Sequence, residues 1–191
     1  MTGPESVAER TLRVPPYAPH PLPLRALPLV EPSAMVWVSR SLAELRRELE
    51  AALTPRCVPV GGLFDVVITA GGVGGRRAVE ELDRAHPRGC GDHPQVCGPV
   101  VAQAGRPWLY WLVPPGTARS WTHAYGRCLG PPETVWLPPS LHRRPEHGLY
   151  WVRPPVRPDL LVGPGMLRRA LDLHQSSPPP ALPVPALYAA A

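Results

Sequence analysis

Leu63-Phe64-Asp65-Val66-Val67-Ile68-Thr69 runs through Ala70 into Gly71-Gly72-Val73-Gly74-Gly75 and then into Arg76. The first seven residues are β-branched, aromatic or aliphatic apart from one acid, a composition that suits a pleated and buried surface. Over 76–86, Ala78, Val79, Leu82 and Ala85 recur at helical spacing with charged residues between them, so one stripe packs and the other is wet. Strand, glycine turn and helix follow one another, and the helix is expected to lie on the sheet its strand belongs to.

Working outward, the apolar run Met35-Val36-Trp37-Val38 reads as a short strand. Ser41-Leu42-Ala43-Glu44 matches a capping box that opens a helix with Leu42, Leu45, Leu49 and Leu53 on one face, stopped by Pro55. Downstream, Gly98-Pro99-Val100-Val101-Ala102 and Trp108-Leu109-Tyr110-Trp111-Leu112-Val113, joined across Gly105-Arg106-Pro107, read as two antiparallel strands. A short helix is expected over 120–129. Val135-Trp136-Leu137 and Leu149-Tyr150-Trp151-Val152 are expected to pair with each other, and a closing helix is expected over 164–173 with proline in its first turn. The resulting order is β-α-β-α-β-β-(α)-β-β-α, an α+β fold with a partly antiparallel sheet packed with helices.

Proline and glycine, 30 and 17 of 191 residues, make up about a quarter of the chain, at the edge of the range where low complexity begins. Prolines crowd residues 1–33 and 176–191, where they remove backbone donors every second or third position. These two stretches are expected to be disordered Pro-rich arms, flanking a domain at 34–175. The 20 cations are all arginine, against 15 acids, for a net charge of +5. Scattered arginines admit a nucleic-acid or nucleotide partner without requiring one. The acidic start has no apolar core of the kind a secretory signal needs, and no apolar run reaches 18 residues, so neither export nor a membrane partner is expected and the chain reads as cytoplasmic.

Several motifs bear on chemistry. Gly71 to Gly75 lies between strand and helix as a phosphate loop would, but Arg77 stands at the third glycine position and no Gly-Lys-Ser/Thr follows. Cys90, His93 and Cys97 share one loop, with Cys128 or His86 as a fourth zinc ligand, at a spacing that matches no standard zinc pattern. Trp108, Trp111, Trp136 and Trp151 lie in expected strands and are read as core. A lone buried carboxylate costs several kcal/mol, so Asp65 is expected on the solvent face of its strand unless it serves a site.

Phe64-Asp65-Val66-Val67, Gly98-Pro99-Val100-Val101, Trp111-Leu112-Val113-Pro114-Pro115-Gly116, Leu137-Pro138-Pro139-Ser140-Leu141-His142 and Tyr150-Trp151-Val152-Arg153-Pro154-Pro155 follow one another in the chain. Over roughly 57–155, their order resembles that of the actinobacterial bifunctional DNA primase/polymerase N-terminal domain family, of the archaeo-eukaryotic-type primase-polymerases. The resemblance implies an RNA-recognition-like sheet and a nucleotidyltransferase site. In that site an Asp-x-Asp/Glu pair and a further Asp hold two divalent metals, and a Ser-x-His motif meets the nucleotide's phosphates. Asp65 matches the first acid, and Ser140 and His142 match Ser-x-His. Val67 stands at the second acid position, no clear third acid follows, and lysine is missing throughout.

The resemblance therefore implies a diverged domain without polymerase activity, whose vestigial catalytic residues are Asp65 and His142. Asp65 is an incomplete metal site. Ser140, His142, Arg143 and Arg144 are the nucleotide or nucleic-acid contacts. No cofactor is expected, Mg²⁺ or Mn²⁺ entering only with residual activity. The alternative is an interaction module whose Pro-rich arms bind a protein partner while the α+β domain is scaffold.

Overall fold

The computed structural model describes residues 39–85, 98–155 and 161–175. Both Pro-rich arms, the run at 35–38, the Cys90 and Cys97 loop, and His86 lie outside the described residues.

Helix α1 (Leu42–Ala51) starts where the capping box predicts. The Ser41 side chain accepts from the Glu44 N–H at 3.1 Å, and the Glu44 carboxylate accepts from the Arg40 N–H at 2.7 Å. Leu45 and Leu49 are buried, whereas Leu53 lies beyond the last turn and is exposed. Strand β1 (Arg56–Pro59) follows, then β2 (Asp65–Ala70) and helix α2 (Val73–Arg84). The α2 helix begins three residues earlier than its apolar stripe suggested, because Gly72 already stands at its N-cap. After β3 (Val100–Gln103) and β4 (Trp108–Val113) come β5 (Gly126–Leu129), β6 (Thr134–Leu137), β7 (Leu149–Arg153) and helix α3 (Pro164–His174).

Five strands form one sheet in the order β5-β2-β4-β3-β7, and every neighbouring pair in it is antiparallel. Strands β2 and β3 are thus parallel, joined through α2, with β4 inserted between them, a split β-α-β arrangement. A separate ribbon pairs β1 with β6. The sheet is covered twice. Val67, Leu109, Trp111, Val113, Val100 and Ala102 face α2 and α3. Val66, Ile68, Tyr110, Leu112 and Val101 face α1 and the β1–β6 ribbon. Double coverage explains why β4 is apolar at every position rather than alternating.

Two expectations fail. The segment at 120–129 is not a helix: a 3-10 turn spans Thr117–Arg119, and Gly126–Leu129 is extended. Pairing with the exposed edge of β2 satisfies the backbone of β5, an outcome that local helical spacing cannot signal. Nor do the strands around Trp136 and Trp151 pair with each other. The first joins β1, a strand absent from the reading of the sequence, and the second joins β3, with Val101 opposite Trp151. The segment between them is too busy for a hairpin turn: it carries a second 3-10 turn, Pro145–His147, and closes the outer edge of β7 through the Trp151 N–H to the His142 carbonyl, 2.8 Å.

Candidate functional site

Asp65 opens β2 and is fully buried, so it does not lie on a solvent face. By alternation it points to the side of Val67, toward α2 and α3. The Ala118 N–H, in the 3-10 turn after β4, donates to Asp65 Oδ2 at 2.8 Å. Oδ1 is buried with no hydrogen-bond partner among the described residues. The carboxylate ties the turn at Thr117–Arg119 to the sheet. Its charge also reaches Cys128, whose thiol is pushed up to about 12 by burial first and by Asp65 and Glu133 next. A thiol so placed stays protonated, an unreactive neighbour rather than a nucleophile.

His142 is elsewhere. Its backbone lies along the outer edge of β7, a strand that is itself three from β2 in the sheet order, so the two are four spacings apart, roughly 19 Å at the usual strand spacing. The loop that carries it leaves β6 on the α1 side: the Ser140 N–H donates to the Leu49 carbonyl at 2.9 Å, and the Trp151 indole donates to the Pro138 carbonyl at 3.0 Å. The His142 ring stacks on His147 at 4.5 Å. Asp65, on an interior strand, and His142, beyond the β7 edge, are therefore not brought together.

A two-metal centre does not fit these residues. Such a centre needs several carboxylates around both ions, whereas Asp65 stands with one oxygen engaged by a backbone N–H. Among the described residues no three His, Cys, Asp or Glu side chains come together as metal ligands. The open sheet face that an RNA-recognition-like domain uses for stacking is covered by α1 and the β1–β6 ribbon. Trp108, Trp111 and Trp151 are core accordingly, and the Trp111 indole donates to Thr69 Oγ1 at 2.8 Å. Trp136 is half-buried on β6.

The glycine run has a packing explanation. A Cβ on Gly75 would stand 2.1 Å from the Ala70 carbonyl oxygen, and one on Gly74 would stand 2.5 Å from that of His174. These two positions let α2 sit close on its own strand and on the end of α3.

Opposite the ribbon, among the described residues, α2 and α3 do not cover the whole sheet. Between α2, the β3–β4 turn and the loop before β7 lies an open groove of about 640 Å³. Arg76 enters from α2, Arg106 from the turn and Arg143 from the loop, all three exposed. Arg76 and Arg106 have no ion-pair partner among the described residues, and Glu80, the acid on the wall, lies 3.8 Å from Arg84. The floor includes Tyr150 and Val152, which share the α2 side of β7 by alternation with buried Trp151. Two apolar crevices on the α1 side, about 10 and 20 Å³, admit no more than a water.

Of the contacts expected from sequence, Arg143 lines this groove. Ser140, His142 and Arg144 do not, Arg144 lying 4.0 Å from Glu146. Arg76, Arg106 and Tyr150 come from three segments far apart in the chain, and each reads locally as an ordinary helix, turn or strand residue. No spacing links them. Comparison of the chain with models of known protein families, with curated proteins and with solved structures finds no match.

Proposed function

We propose that this chain is a nucleic-acid-binding domain of primase-polymerase-like descent that performs no nucleotidyl transfer. The observation that carries the binding is the convergence of Arg76, Arg106 and Arg143 on one groove that holds a single acid, Glu80, among its described lining residues, with Arg76 and Arg106 in no ion pair among the described residues. Unpaired guanidinium groups are strongly attracted to phosphate, which they meet with two donors at once. Descent is supported by the ordered motif matches and by the split β-α-β arrangement around β4. Loss of transfer is supported by the solitary, buried Asp65 and its distance from His142.

Two measurements on the full chain test this. Fluorescence anisotropy with a labelled oligonucleotide is expected to show binding that weakens as salt rises, and Arg106→Glu is expected to weaken it further. A primed template with nucleotides and Mg²⁺ or Mn²⁺ is expected to remain unextended. Robust extension refutes the loss of transfer, and absence of any oligonucleotide binding refutes the function.

A further inference from the structure

We infer that the arginine groove takes single-stranded rather than duplex nucleic acid, one base lying on the ring of Tyr150 and the adjoining phosphates on Arg76, Arg106 and Arg143. The inference rests on the nucleic-acid reading above and adds the form of the strand and the residue that selects it.

Three features of the groove carry it. First, arginines and apolar side chains line the same groove: Tyr150 is half-buried against the α2 side of the core, and Val152 near it is 39% exposed. A duplex turns phosphates outward and keeps its bases stacked inside, so it leaves such a floor wet. An unpaired strand brings an apolar base face and a charged backbone together, the pairing that aromatic platforms in basic channels exploit. Second, the groove is concave, walled by α2, the β3–β4 turn and the loop before β7, and its volume of about 640 Å³ is that of a small-molecule pocket. It accommodates about one or two nucleotides, not the convex surface of a double helix. Third, Tyr150 stands on β7, the edge strand, on a side that α2 and α3 do not cover among the described residues. Its side chain packs against the core and also lines the groove.

The test measures anisotropy of a short fluorescein-labelled oligodeoxythymidylate, alone and annealed to oligodeoxyadenylate, with the full chain and with Tyr150→Leu and Tyr150→Phe. Leucine keeps apolar bulk against the core and phenylalanine keeps the ring, and thermal melts establish that both variants fold. The single strand is expected to bind about tenfold or more tightly than the duplex. Tyr150→Leu is expected to lose about tenfold on the single strand, while Tyr150→Phe stays within about twofold of the parent. Equal affinity for both forms, or a Tyr150→Leu variant that binds like the parent, overturns this inference and leaves the nucleic-acid reading standing on its arginines. Absence of binding to either form removes that reading as well.

Discussion

Asp65 shows how one side chain can change meaning between a strand in the sequence and a strand in a sheet. Its carboxylate accepts from the Ala118 N–H and imposes its charge on Cys128, so its role is to hold the turn after β4. Asp65→Asn retains an acceptor for that N–H and removes the charge; it is expected to change stability by about 1 kcal/mol or less. Asp65→Ala leaves the N–H without its acceptor and is expected to cost roughly 1 to 3 kcal/mol in urea unfolding. Burial of Cys128, with the charge of Asp65 next, sets a pH dependence. The folded-state pKa of Cys128 lies above its ordinary value of 9.0, at about 12, so its contribution to stability is complete below the unfolded value and is lost as pH rises through this window. Asp65→Asn removes one of the charges that raise it. Alkylation of Cys128 at pH 9, followed by peptide mass spectrometry, is expected to be slow in the folded parent and faster in Asp65→Asn.

Helix α2 carries the lesson of the glycine run. Five residues rich in glycine at a strand-to-helix junction invite a phosphate loop, yet Gly75 and Gly74 face carbonyl oxygens at distances no side chain tolerates, while Gly72 faces open space. Gly75→Ala is therefore expected to push α2 off β2 and cost roughly 1 to 3 kcal/mol, and Gly72→Ala to stay within about 0.5 kcal/mol of the parent; paired thermal melts decide. Equal costs at both positions would contradict the packing account. The helices were legible because Ser41 with Glu44, the Ala78 to Leu82 stripe and Pro164 are local signals. β5 and β1 were not, since each is a short segment made extended by its partner. Gly126–Leu129 is strand because β2 has an edge to fill, and Arg56–Pro59 is strand because β6 lies beside it. Partner choice for β7 likewise depended on β3 being available, which no pattern within 149–153 encodes.

Among the described residues, three layers, helices over a five-stranded sheet over helix and ribbon, leave a groove beside α2, and Arg76, Arg106 and Arg143 line it. If Arg76, Arg106 and Arg143 each neutralise one phosphate of a single strand, the logarithm of affinity is expected to fall against the logarithm of salt with a slope of about −2. Replacing any one of them by glutamine is expected to reduce that slope by about 0.7. A slope near zero would mean that the groove does not contact a backbone. Among the described residues no helix is long and apolar enough to cross a membrane. The α+β class, the three helices, the β3–β4 pairing and the burial of Trp108, Trp111 and Trp151 followed from the chain's own order of residues, because periodicity and end signals act between near neighbours. The burial of Asp65, its separation from His142 and the assembly of the groove followed from folding alone. They depend on which strand edges and surfaces meet across distances of tens of residues, and that competition for partners is settled by the whole core at once.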